Sequence, residues 1–104
     1  MDISFYFQKV DKSEEKRLRD YLSEEKLSRL TRLLQHGNLE LADLRILVEH
    51  FPHHNEISVK LTLNIKKREL VAEKRSRNII ESFDLALDNL ISQLRKLENV
   101  MHDK

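Results

Sequence analysis

At 104 residues the chain is about one domain long, with 39% hydrophobic and 36% charged residues, 1 Gly, 1 Pro and no Cys. That composition excludes a disulfide scaffold, a thiol nucleophile, cysteine-ligated metal and a glycine-rich phosphate loop. The formal net charge of +1 conceals one basic region: residues 60–77 hold seven Lys/Arg against Glu69 and Glu73, a net of +5.

No apolar run reaches the roughly 18 residues of a membrane span. Met1-Asp2-Ile3-Ser4-Phe5 lacks the basic start and small-residue cleavage site of a signal peptide. The expectation is a soluble cytoplasmic protein, a single domain over 1–104, whose work lies in surface charge and shape.

Ile3, Phe5 and Phe7 alternate with Ser4, Tyr6 and Gln8, the period of a half-buried strand. Asp11 with Glu14 three residues on resembles a capping box, so a helix should follow to about Gln35 and stop at Gly37-Asn38. Its apolar stripe is irregular. Leu18 and Leu22 share one face, whereas Leu27, Leu30 and Leu34 share another, displaced by one residue or about 100°. The offset predicts a kink, a π-bulge or a break near Ser23-Glu24-Glu25; one straight helix with a broad apolar face is the alternative.

Leu44, Ile46 and Val48 alternate in a second strand, and Phe51-Pro52-His53-His54-Asn55 reads as a turn. Ile57, Val59, Leu61, Leu63 and Ile65 mark the clearest strand. Lys66-Lys67-Arg68 is a charged connection, and Leu70 and Ala72 continue into a fourth, weaker strand that forms a hairpin with the third. Asn78 is placed to cap the last helix, whose stripe runs through Ile80, Phe83, Leu87, Leu90, Leu94, Leu97 and Met101. That spacing also suits a coiled-coil seam, but in a short mixed chain it reads as a helix covering a sheet. The fold class is therefore α+β: a two-layer β-α-β-β-β-α sandwich, with a four-stranded mixed sheet and two helices packed on one face. The first strand, helix and second strand should form a right-handed parallel crossover.

Three chemistries were weighed against this frame. His50 and His53, with Glu49, could offer metal ligands, yet no second histidine-rich segment supports them, and incidental surface histidines are the better reading. Asp84 and Asp88 lie four apart on one helix face, but they flank the apolar stripe, where solvation or pairing with bases outweighs catalysis. There is no nucleophile elbow and no P-loop. No catalytic residue, metal or cofactor is expected, and the chain does not read as an enzyme. The basic positions remain: Lys26, Arg29 and Arg32 fan along the first helix, Lys74, Arg75 and Arg77 precede the last helix, and Arg95 and Lys96 lie near its end. Each phosphate such a cation neutralises releases counterions and adds salt-dependent affinity.

The stretch Asn78-Ile79-Ile80-Glu81-Ser82-Phe83-Asp84-Leu85-Ala86-Leu87-Asp88-Asn89-Leu90-Ile91-Ser92-Gln93-Leu94-Arg95-Lys96 resembles the last helix of the ribosome hibernation-promoting factors. That family includes the ribosome-associated translation inhibitors, or sigma-factor modulation proteins. Leu18-Arg19-Asp20-Tyr21-Leu22 and Lys26-Leu27-Ser28-Arg29-Leu30-Thr31-Arg32 resemble its first helix. The resemblance implies a protein that binds the small ribosomal subunit and its rRNA, in the channel for messenger and transfer RNA of idle ribosomes, and inhibits translation by occlusion. No membrane and no small-molecule substrate are implied. It carries rRNA binding over to Lys26, Arg29, Arg32, Arg75, Gln93, Arg95 and Lys96; Lys74 and Arg77 join them from the basic region. Because the chain ends soon after the helix, it resembles the short form, which lacks the domain that pairs ribosomes.

The sequence departs from the family pattern at Asn78, Ile80, Asn89 and Ser92, which stand where an Asp, a Tyr, a Lys and an Arg are usual. Loss of the last two cations motivates an alternative. On it, the same fold serves as a protein-interaction module, taking an acidic partner or forming a weak homodimer through a sheet edge or the uncovered sheet face.

Overall fold

The structure, a computed structural model, describes residues 1–22, 24–34, 42–65 and 68–102, with the side chains of 24, 25 and 98–102 excepted. The period-two segments become four strands: β1 (Asp2–Gln8), β2 (Ala42–Phe51), β3 (Glu56–Ile65) and β4 (Arg68–Ser76). They form one sheet in the order β1-β2-β3-β4. β1 and β2 are parallel, and the other two pairings are antiparallel. A parallel pair needs a long crossover. It is supplied by two helices, α1 (Lys12–Tyr21) and α2 (Glu24–Leu33); a third, α3 (Ile79–His102), follows β4.

The first helical segment is thus two helices where a β-α-β-β-β-α count expects one. Leu22 leaves helical geometry at φ −80°, ψ 83°, while its N–H still reaches the Leu18 carbonyl at 3.1 Å. The break lets Leu18 and the Leu27, Leu30 and Leu34 set all bury against one sheet, which a straight helix would prevent. Gln35, Gly37 and Asn38, where the helix is expected to stop, lie outside the described residues.

Register assigns every strand residue to a face. On the helix side the cross-strand rows are Ile3–Leu44–Leu63–Leu70, Phe5–Ile46–Leu61–Ala72 and Phe7–Val48–Val59–Lys74. These rows and the helices enclose the core. On the open side the rows are Asp2–Asp43–Asn64–Glu69, Ser4–Arg45–Thr62–Val71, Tyr6–Leu47–Lys60–Glu73 and Gln8–Glu49–Ser58–Arg75, then the pair Phe51–Glu56. No described helix covers that side.

α3 buries a wider stripe than a strict 3-4 spacing marks. Ile79, Ser82, Ala86 and Ile91 are buried along with Phe83, Leu87, Leu90 and Leu94, while Ile80 and Leu97 are half-buried at the margins. A helix lying on a sheet presents a broader face than a coiled-coil seam. Buried Ser82 is sealed by the Ile57 carbonyl and the Ser76 hydroxyl, each at 2.8 Å.

The starts of α1 and α3 are capped as their residues predict. Asp11 Oδ1 accepts from the Glu14 N–H at 2.9 Å. The Glu14 carboxylate turns instead toward Arg17, 4.0 Å away. Asn78 Oδ1 accepts from the Ile80 N–H at 2.8 Å and the Glu81 N–H at 3.4 Å. Asn78→Ala strands those donors and is expected to cost about 1 kcal/mol, read as a lower urea midpoint at unchanged slope.

Candidate nucleic-acid interface

The nine candidate residues do not share one surface. Four of them lie on α2 and α3, which run side by side. On α2, Lys26 borders the buried Leu27-Leu30-Leu34 face, Arg29 lies about 60° further round, and Arg32 points away from that face; all three are exposed. Arg29 Nη1 lies 3.0 Å from Asp88 Oδ1 of α3, which fixes that side of α2 against the last helix. Lys26 Nζ sits 4.7 Å above the centre of the Tyr21 ring. The Tyr21 hydroxyl donates to Asp84, 2.7 Å from Oδ2 and 2.9 Å from Oδ1. Asp84, Asp88 and Arg95 fall within about 40° of one another around α3, so exposed Arg95 continues the same seam two turns on. Among the described residues no ion pair holds Arg32 or Arg95.

Asp84 and Asp88 are thereby accounted for. Asp84 accepts a hydrogen bond from the Tyr21 hydroxyl and Asp88 one from Arg29; both tie α3 to the preceding helices. Neither faces a second carboxylate in a closed site, and the pair offers no acid–base geometry.

The other candidates lie elsewhere. Gln93 Nε2 donates to the Val71 carbonyl of β4 at 2.8 Å and to Asn89 Oδ1 at 2.7 Å. It tethers α3 along β4, and Asn89 serves that tether. Lys96 is exposed and lies on α3 nearer this flank than the α2 seam. Lys74 is exposed at the helix side of β4, whereas Arg75 takes the open side, its guanidinium 4.3 Å from the centre of the Phe51 ring. Adjacent strand residues point to opposite faces, so these two cannot serve one contact. Arg77 lies at the end of the sheet, beside an open cavity of about 280 Å³ that Lys9, Asp11, Glu14 and His50 also line. There hydrogen bonds from the Ser13 hydroxyl and the Glu14 N–H hold the Asp11 carboxyl below the usual carboxylate range.

Glu49 and His50 alternate across β2 and face apart, and His53 is exposed in the following turn. Among the described residues no group of three His, Cys, Asp or Glu could hold a metal. One basic line is not among the nine candidates. Lys12, Lys16 and Arg19 are exposed at i, i+4 and i+7 on α1, and Arg19 stacks over Phe5 and Phe7 at 4.6 and 5.4 Å. Its spacing was readable from the sequence.

The profile of the sigma-54 modulation protein / S30EA ribosomal protein family matches residues 3–101, nearly the whole chain. The chain belongs to that family. The resemblance noted for the two helical segments is thereby established over the entire sandwich, and this is a family of ribosome-associated modulation proteins. Solved structures share the fold, two of them as follows. The Protein Y N-terminal domain of Thermus thermophilus superposes with a TM-score of 0.73 at 19% identity, over 93% of this chain and 99% of that one. A ribosomal subunit interface protein from Coxiella burnetii gives 0.63 at 17% identity, over 95% and 99%. No curated protein sequence matches the chain significantly. Among the described residues no helix is long and apolar enough to cross a membrane.

Proposed function

We propose that this S30EA-family chain binds the rRNA of the small ribosomal subunit in the messenger and transfer RNA channel of idle ribosomes. There it would inhibit translation by occlusion, in the cytoplasm and without a chemical step. The observation that carries this reading is the exposed basic surface of α2 and α3, where Arg29 and Arg95 border the seam and Lys26 and Arg32 lie on either side of Arg29, on helices anchored on one core. A rigid body that places cations against phosphates suits folded RNA, which is recognised by shape more than by base edges. Lys74, Arg77 and Lys96 would add contacts around the rim of the helix layer. On this reading Gln93 acts mainly by holding α3 in place, and Arg75 lies on the far side of the sheet from the bound RNA.

The test is cosedimentation with purified small and large subunits across a salt series. Binding to the small subunit is expected to weaken with a log–log slope of about −3 to −5, as four to six phosphate contacts require. Equal pelleting with both subunits, or binding indifferent to salt, would overturn the reading. Asp88 competes with phosphate for Arg29 and places a carboxylate in the seam. Asp88→Asn should therefore tighten subunit binding roughly threefold to tenfold, because an exposed ion pair is worth at most about 1 kcal/mol and a repulsive charge is removed with it.

A further inference from the structure

We infer that the open side of the sheet is a second docking surface, and that its partner is a lysine- or arginine-rich polypeptide segment. Three features of the same face carry this. First, it is uncovered: every described helix packs on the other side. Second, it carries apolar surface: Tyr6, 53% exposed on β1, adjoins half-buried Leu47 on β2, and Val71, 38% exposed, lies on β4 across Lys60 and Thr62 of β3. Third, the surrounding charge is acidic. One end row carries Asp2, Asp43 and Glu69, and Glu49, Glu56 and Glu73 complete six carboxylates against Arg45, Lys60 and Arg75, a net of −3. Two of those cations are already engaged, Arg45 with Asp43 at 3.8 Å and Arg75 over Phe51.

An antiparallel sheet with one solvated face ordinarily shows mixed polar residues there. Here the imbalance has a direction. Phosphate is repelled by it, whereas a basic peptide gains both charge complementarity and contact with Tyr6, Leu47 and Val71. The molecule is thus two-sided: helices for polyanion, sheet for polycation. The sheet-side assignment needs nothing of the RNA reading.

The probe is a short synthetic peptide alternating arginine and leucine, titrated into the isotopically labelled protein without RNA or ribosomes. Backbone amide shifts are expected to move on β1–β4 around Tyr6, Asp43, Val71 and Glu69 and to leave the α2/α3 seam still. Asp43→Lys with Glu69→Lys should weaken the peptide at least about tenfold while the spectrum stays dispersed. Glu73→Lys, a single change on an exposed edge-strand residue, provides the same reading should the double variant misfold. Several results would overturn the inference: peptide shifts centred on Asp84 and Asp88, shifts spread over all carboxylates alike, an RNA oligonucleotide perturbing the sheet face, or sheet-face shifts that grow with protein concentration alone. The last would assign the face to a second copy of the chain. Failure of cosedimentation with peptide binding intact would remove the RNA reading only.

Discussion

Arg29→Glu, Arg32→Glu and Arg95→Glu, made together, are expected to abolish cosedimentation with the small subunit. Arg29 and Arg95 border the α2/α3 seam and Arg32 lies beside Arg29 on the outer side of α2; none is buried, and Arg29 alone has an ion-pair partner among the described residues. Each lost charge–phosphate contact removes about 1 kcal/mol, so three remove about 3 kcal/mol, a hundredfold in Kd, before repulsion by the new carboxylates is counted. The log–log salt slope should flatten by about 2 to 3. The fold should survive, because among the described residues the tie broken is the exposed pair to Asp88, with side-chain exposures of 53% and 61%. Thermal melting of the triple variant checks that point. A variant that melts like the wild type and still pellets with an unchanged slope would displace the interface from this seam.

Phe83→Ala should be the most damaging single substitution for stability. Phe83 is fully buried, and its ring meets Tyr21 edge-on, with centroids 6.3 Å apart and planes at 88°. Next in sequence, Asp84 receives the Tyr21 hydroxyl, so one helical step joins α1 to α3 by both an aromatic contact and a hydrogen bond. Emptying the ring's volume costs about 3–5 kcal/mol, which is a large part of the stability of a domain this size. In melting temperature that is a fall on the order of 15–30 °C. Phe83→Leu refills most of the space and should cost under about 1.5 kcal/mol. A denaturant series of the two variants measures both; a loss below about 1 kcal/mol for alanine would mean that the ring does not seal the core.

Much of the architecture was legible because local and tertiary requirements agree. Ile57 to Ile65 alternates without a fault and becomes the central strand β3; Asn78 stands where a cap is needed and caps; the one-residue offset between Leu18 and Leu27 forces a break, and the break occurs. The length of β4 was less legible. Glu73, Lys74 and Arg75 have little strand propensity, but pairing with the full length of β3 carries the strand to Ser76. That extension is why Lys74 and Arg75, neighbours in a basic run, end on opposite faces. Sequence clustering of charge is therefore a poor guide here to surface clustering. Arg95 joins Arg29 only through the packing of α3 on α2, which no local pattern encodes. The same holds for Gln93. The family resemblance carries rRNA binding over to it, while the fold uses its amide to fasten two elements.

By donating to Val71, Gln93 occupies a backbone acceptor on the outermost strand at one margin of the sheet. An incoming strand that tried to extend the ladder there would have to displace the glutamine first. At the opposite margin Arg19 lies across Phe5 and Phe7, contacts to ring faces that occupy no backbone acceptor of the outermost strand β1. Fibril growth by strand addition, if the chain is forced to it by heat or crowding, should therefore seed at β1, and Gln93→Ala should open the second end to polymerisation.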